Sequence, residues 1–300
     1  MQIRALIYFD ELARTRSMRA AAERLNVQPT AFARQIDQLE YYFGTPLIER
    51  SSRGIRLTAA GELVAARAGK TVRELDNVRQ LVDDLEGLKR GHVDIQASGA
   101  TVANLLAPVL ADFSLKFPKI RFSVTIASAR HAMEALINGS ADIAVTLFSE
   151  PDPATKVRLR AHIPYEVIAA RHHPAASHRE LTLAELASYP LAIPDSSFGA
   201  RQAFDACFLR AGLKLDPVFV TSSLEMQKEL VLRGAALTLL PALTVLRECR
   251  AGDLVVIPIQ DDAGIRAPID LSVSSDRQLS FAASKLLDAI DRFMREQMGK

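Results

Sequence analysis

Residues 17–44 read SMRAAAERLNVQPTAFARQIDQLEYYFG, and the spacing predicts two helices joined by a tight turn. Ser17 is a natural N-cap for a short helix over residues 18–25, whose Ala20-Ala21-Ala22 core lets another helix approach closely. Asn26-Val27-Gln28 makes the turn. Pro29 suits the first turn of the next helix, where its missing N–H would be unpaired anyway. That helix is expected to run to residue 43, to bury Ala31, Ile36, Leu39 and Phe43, and to stop at Gly44 with Pro46 soon after.

Upstream, residues 3–14 carry Leu6, Phe9 and Leu12-Ala13 on one stripe, a first amphipathic helix. Downstream, Leu47-Ile48-Glu49-Arg50 and Ile55-Arg56-Leu57 flank a Ser/Arg/Gly turn and read as a small hairpin. Helix, short helix, turn, longer helix and basic hairpin make a winged helix-turn-helix over residues 1–58. The charge agrees. These 58 residues hold nine arginines and no lysine against six acids, so with a chain total of +2 the other 242 residues sum to −1. An arginine excess suits a nucleic-acid surface.

Thr58 caps a long helix expected over residues 59–90. Val64, Thr71, Val78 and Leu85 repeat every seven residues. Ala68, Leu75 and Val82 repeat the same way, offset as the second seam position. An apolar seam over three heptads predicts a paired helix and hence a homodimer, with Val64, Ala68, Leu75, Val78, Val82 and Leu85 in the contact. A single amphipathic helix lying on its own domain is the alternative reading.

From residue 91 strands and helices alternate, which predicts an α/β domain of mostly parallel sheets. About nine strands in 210 residues are many for one sheet. They divide into lobe I (residues 91–162 and 267–300) and lobe II (163–266), with the last strand and helix returning to the first lobe. Ligands of open α/β sheets bind beside strand C-termini and helix N-termini. Four such edges are rich in hydroxyls: Ser98-Gly99-Ala100-Thr101, Thr146, Ser196-Ser197-Phe198 and Thr221-Ser222-Ser223. Ser98, Gly99, Thr101, Thr146, Ser196, Ser197, Ser222 and Ser223 are thus candidates to hold a carboxylate or other small anion, with Phe198 over its apolar part. Plain helix capping is the competing reading of each hydroxyl. Arg201 is the one cation beside these edges.

Hydrophobic residues make up 49 % and charged residues 24 %, the profile of a globular protein. No apolar run approaches the ~18 residues of a membrane span. Charges at Arg4, Asp10 and Glu11 interrupt the start before any signal-peptide pattern, so a cytoplasmic location is expected. Cys207 and Cys249 cannot form a disulfide framework. No nucleophile elbow, phosphate-binding loop or helical zinc motif is present, so an enzyme reading has nothing to carry it. His172, His173 and His178 lie in a polar loop without metal-ligand spacing. No cofactor is called for. A transporter's solute-binding protein would share the two-lobe domain but has no use for residues 1–60.

Taken in order, Leu6, Phe9, Ala13, Ser17, Ala21-Ala22, Leu25, Val27, Arg34-Gln35-Ile36, Leu39-Glu40, Gly44, Leu47, Arg50 and Leu57-Thr58-Ala59-Ala60-Gly61 form a specific set. Pro108, Phe113, Phe117-Pro118, Gly139 with Asp142-Ile143-Ala144, and Gly234 with Leu239-Leu240-Pro241 extend it. Through these residues the chain resembles the LysR-type bacterial transcription regulators over nearly its full length. The resemblance implies a homo-oligomer, often a tetramer, with paired linker helices. It also implies a sensor domain similar to periplasmic binding proteins, with a small effector in its cleft. The partners implied are promoter or operator DNA and, for an activator, RNA polymerase.

On the third helix Thr30, Ala33, Arg34 and Asp37 face outward, with Gln28 and Pro29 at its start. Arg34 suits a guanine edge or a phosphate. Ser17, Arg50 and Arg53 suit phosphates, and Arg19 joins the DNA-facing set. Against the family pattern the proline sits one position early, Ala33 replaces a frequent serine, Asp37 stands where a basic residue is common, and Arg16 replaces a glycine. These departures bear on the operator sequence and leave the fold untouched.

Overall fold

The computed structural model describes residues 3–51, 54–85, 90–260 and 264–298; of Arg50, Ser51, Asp83, Asp84 and Leu85 it describes the backbone. The chain divides into two compact units, Met1–Glu86 and Gly87–Lys300. The long helix therefore belongs to the N-terminal unit.

That unit opens with α1 (Ile3–Thr15), α2 (Met18–Arg24) and α3 (Pro29–Phe43). Ser17 caps α2 by accepting a hydrogen bond from the Ala20 N–H at 3.3 Å. Gly44 ends α3 in the left-handed conformation. The core face of α3 is Phe32, Ile36 and Leu39, all fully buried, with Phe32 stacked on Tyr8 of α1 at 5.0 Å. Ala31 and Phe43, expected inside, are exposed. A stripe at i, i+4, i+7 starting from Phe32 is the one that meets α1 and α2, and Ala31 lies a 100° step off it. Arg16 has φ 53, a left-handed conformation that explains why a glycine is usual there.

The hairpin follows as β1 (Ile48–Ser51) and β2 (Gly54–Leu57), antiparallel. Its entry is tied down by Glu40, whose Oε1 accepts from the backbone N–H groups of Leu47 (2.7 Å) and Ile48 (3.1 Å). Thr58 caps α4 (Ala59–Leu85), accepting from the Gly61 N–H at 2.9 Å and donating to the Pro46 carbonyl. Along α4, Ala68 is buried in the core of its own unit and Val64 is half-buried against it, so these two seam residues have an intramolecular role. Leu75, Val78 and Val82 are exposed on the same helix; the side chain of Leu85 lies outside the described set.

The C-terminal unit begins with β3 (Gly91–Ala97), α5 (Gly99–Thr101), a π-helical segment (Val102–Leu106) and α6 (Ala107–Lys116). The helical stretch after β3 is thus not continuous α-helix. Pro108 has no N–H to close an i→i−4 bond, and the turn before it widens to π geometry. Then come β4 (Ile120–Ile126), α7 (Ala129–Ile137), β5 (Ile143–Leu147), β6 (Thr155–Pro164), β7 (Glu166–Ala170) and α8 (Leu183–Ala187). They are followed by β8 (Ala192–Ile193), α9 (Gly199–Arg210), β9 (Phe219–Val220), α10 (Leu224–Leu232), β10 (Thr238–Leu240), α11 (Leu246–Ala251), β11 (Leu254–Ile257), β12 (Arg266–Ser274) and α12 (Phe281–Met298).

The first lobe is a five-stranded sheet in the order β4-β3-β5-β12-β6. β3 pairs in parallel with β4 and β5, whereas β12 is antiparallel to both β5 and β6. In the second lobe β10-β7-β11 is antiparallel throughout, and β8-β9 is a parallel pair. The expected mostly parallel sheets are therefore mixed. Strand β6 was not foreseen, although Val157, Leu159, Ala161 and Ile163 alternate with Lys156, Arg158, Arg160 and His162. Two of its cations are paired within the lobe. Arg160 donates two bonds, 2.6 and 2.7 Å, to the fully buried Asp270, and Arg158 reaches Asp291 of α12 at 3.2 Å.

A Cβ on Gly61 would sit 1.9 Å from the Leu47 carbonyl oxygen, where the first turn of α4 packs on the residue that leads into β1. Gly61→Ala should therefore destabilise the N-terminal unit by about 3 kcal/mol or prevent its folding. An unchanged melting transition for that unit would show that the helix start can shift at no cost.

Candidate functional site

The outward face of α3 presents Gln28, Pro29, Thr30, Arg34 and Asp37 to solvent, with Ala33 half-buried. Pro29 sets the first turn and Gln28 is the N-cap, without a side-chain cap of its own. Arg34 makes no ion pair among the described residues. Four other arginines of this unit are engaged in ion pairs: Arg14 with Asp10, Arg16 with Glu62, Arg19 with Glu23 and Arg24 with Glu11. Arg19 thus holds a partner already, but both side chains are mostly exposed and the exchange for a phosphate is cheap. Glu40, near the hairpin in sequence, is occupied by backbone N–H groups. The Arg50 side chain and Arg53 lie outside the described residues.

In the C-terminal unit a cleft of about 410 Å³ opens at the ends of β3 and β5, between the two lobes. Ser98, Gly99, Phe198, Ser222 and Ser223 line it, as the strand-edge argument expected. Ser98 accepts a bond from the Leu147 N–H at 3.1 Å, and its own hydroxyl proton remains to donate. Ser223 caps α10 by accepting from the Met226 N–H at 3.2 Å. The other four candidates fall elsewhere. Thr101 is fully buried and donates to the Ser98 carbonyl at 2.8 Å. Thr146 is fully buried in the middle of the sheet, opposite Asp270. Ser197 caps the carboxylate of Asp195 and faces a second cavity of about 430 Å³, and Ser196 lines neither. Bonds from the Ser197 hydroxyl and N–H hold Asp195 below the usual carboxylate range.

Sequence reasoning missed the aromatic wall and the cation. Phe148 and Tyr165 sit 5.8 Å apart between ring centroids, and Tyr165 meets Phe204 at 5.3 Å. Burial pushes the Tyr165 hydroxyl up, so it stays neutral. The cation is Lys228 on α10; Arg201 is instead paired with Asp205 one turn along α9 at 3.0 Å. Lys228 was legible as the i+4 neighbour of Leu224 on the helix that Ser223 caps, a spacing that returns it to the same face.

These two sites belong together in one known architecture. The model of the bacterial regulatory helix-turn-helix proteins of the lysR family matches residues 3–62, and that of the LysR substrate binding domain matches residues 86–295. The chain belongs to the LysR family. It is a DNA-binding transcription regulator with an effector-binding domain, from a family of regulators rather than enzymes. It is 28 % identical over 282 residues to the transcriptional activator CmpR of Synechocystis, covering 93 % of this chain and 91 % of CmpR. With the dual regulator OxyR of Escherichia coli K12 it shares 29 % identity over 260 residues, 86 % of this chain and 85 % of OxyR. Among solved structures the LysR-family regulator CbnR has its fold, with a TM-score of 0.72 at 22 % identity, covering 98 % of this chain and 99 % of CbnR. No helix among the described residues is long and apolar enough to cross a membrane. Burial, and then Glu248, push the Cys249 thiol of this LysR regulator up, away from the thiolate form, and Cys207 is buried on α9.

Two residues that line the cleft, Phe148 and Gly199, approach closely. Phe148 has φ 57, and a Cβ on Gly199 would lie 2.6 Å from the Phe148 Cβ. Gly199→Ala should cost about 1–3 kcal/mol of stability. In a Phe148→Gly background, which removes the opposing Cβ and the backbone strain, that cost should largely vanish. Thermal melts of the four proteins of the cycle measure the coupling, and additivity would disprove it.

Proposed function

We propose that this regulator reads operator DNA with α3, works as a homodimer or a tetramer built from paired α4 helices, and responds to a small carboxylate or similar anion held in the inter-lobe cleft. The observation that carries the DNA reading is Arg34, an exposed guanidinium on a helix whose other face is buried, with no carboxylate partner among the described residues. Gln28 and Thr30 lie beside it for base edges, and Ser17 with the start of α2 suits a phosphate. Full-length CbnR, which shares the fold, has been seen in complex with its target DNA. Where the output is activation, RNA polymerase is the further partner.

For the effector, Ser98 from one lobe and Ser222 and Ser223 from the other bring hydroxyls to a cleft that is otherwise largely apolar. The effector-binding domain of QuiR, which has this fold over 70 % of the chain, binds shikimate, a ring-bearing carboxylate. For assembly, Leu75, Val78 and Val82 leave apolar side chains in water along one side of α4.

DNA fragments retained by the purified protein identify the operator. On it, affinity should fall steeply with salt as phosphate counterions are released. Arg34→Ala should weaken binding by about ten-fold or more at constant salt. A gel shift with unchanged affinity would remove Arg34 from the interface.

Assembly is tested separately. Asp at both positions 75 and 82, made as Leu75→Asp with Val82→Asp, places unpaired charge in a helix pair, which is costly once water is excluded. Both positions are exposed in the single chain, so the monomer should still fold. Sedimentation should give monomers, and a mutant with wild-type mass would mean that the contact lies elsewhere.

A further inference from the structure

The wall formed by α10 and the 3-10 turn Ala242–Val245 differs from the rest of the cleft. Lys228 is 13 % exposed and forms a short ion pair with Glu248 of α11. Its ammonium also lies 3.8 Å from Glu225, a carboxylate that is itself 75 % exposed. Burial works against the Glu248 charge, yet the bond from Lys228 holds that carboxylate below its usual range. Thr244 lines the same cleft four residues before Glu248, is 95 % buried by its 5 % exposure, and its Oγ1 has no hydrogen-bond partner. A buried hydroxyl without a partner costs free energy that a ligand acceptor would recover.

An ammonium has three protons to donate. Glu248 is tightly held, but a contact of 3.8 Å to a mostly exposed Glu225 contributes little and is given up cheaply. If Glu225 swings into water and a ligand carboxylate takes its place, the charge around Lys228 is unchanged: one positive and two negative. A second ligand charge would have no counterpart there. Phe148 and Phe198 line the same cleft, backed by the buried Tyr165 and Phe204, aromatic surroundings suited to a ring.

We propose that Lys228 anchors a monocarboxylate effector with an apolar ring, that the Thr244 hydroxyl donates the second bond, and that the ligand carboxylate takes the place Glu225 holds. This rests on the inter-lobe cleft being the effector site.

Benzoate and the neutral benzamide serve as a matched pair of probes in calorimetric titrations of the full-length protein. Benzoate should bind at least about ten-fold more tightly than benzamide, and Lys228→Met should erase that preference while Lys228→Arg keeps it. Glu225→Gln should raise benzoate affinity about two- to five-fold by removing the competing carboxylate. Should Lys228→Met fail to fold, unchanged benzoate affinity in Glu225→Gln overturns the proposal by itself. Ala103→Trp, which fills the cleft from an exposed helical position, separates the two readings. If it abolishes benzoate binding while Lys228→Met does not, the Lys228 assignment is wrong and the cleft stands. If benzoate binds unchanged in Ala103→Trp, the cleft reading itself falls; if benzoate does not bind the wild type, the ligand class is wrong.

Discussion

The C-terminal unit depends on a double crossing of the chain between its lobes. β6 leaves the first sheet at Pro164, and β7 enters the second at Glu166, so a single residue, Tyr165, spans the gap. The return path runs alongside: the Tyr165 N–H donates to the Ile265 carbonyl at 2.7 Å, immediately before β12 re-enters the first sheet. Two crossings bonded to each other fix where the lobes meet. They oblige the strand ends on either side to face across a gap, and that gap is the cleft. Tyr165 itself becomes its back wall, which is why a buried phenol with no charge to offer sits at the centre of the aromatic cluster.

Because β12 is a returning strand, it enters antiparallel to β5 and lies between β5 and β6. The insertion buries Asp270, and a buried carboxylate needs compensation. Arg160 supplies it bidentately from β6, and Ser149 adds a short hydrogen bond. The alternation of charge along β6 is thus the counterpart of a buried acid about 110 residues away in sequence. In the N-terminal unit the same economy operates on a smaller scale. Glu40 satisfies the two backbone donors that open β1, so the hairpin leaves α3 at a fixed angle and the outward face of that helix stays clear.

Hydroxyl groups show where local pattern and function part company. Ser98, Thr101, Ser197 and Ser223 all follow strands or precede helices, and by sequence they are equivalent. Thr101 turns inward because it sits one turn into a helix packed on the sheet, and it bonds back to the Ser98 carbonyl. Ser197 is claimed by Asp195. Thr146 points into a sheet covered on both faces. Only Ser98 and the Ser222-Ser223 pair keep a side chain at the opening. Within one motif, some members bond back to the protein and others line the cleft.

Much of the molecule was decided by sequence alone. Ser17, Pro29 and Gly44 bound two helices through local backbone chemistry, and the stripe Leu6, Phe9, Leu12 needed only a 3.6-residue period. Alternating strands and helices, with a last strand returning, were legible for the same reason: periodicity is a local property of the chain. The tertiary structure decided what depends on distant partners. It chose Phe32 over Ala31 as the buried residue of α3, because only the position of α1 settles which stripe is covered. It turned Val64 and Ala68 inward while leaving Leu75, Val78 and Val82 in water, a split invisible in a uniform heptad. It made the sheets mixed, placed the aromatic wall, and set Lys228 rather than Arg201 at the cleft. An ion pair with the nearest helical turn removes Arg201 from service, whereas Lys228 is brought to the cavity by a helix whose position no local signal encodes.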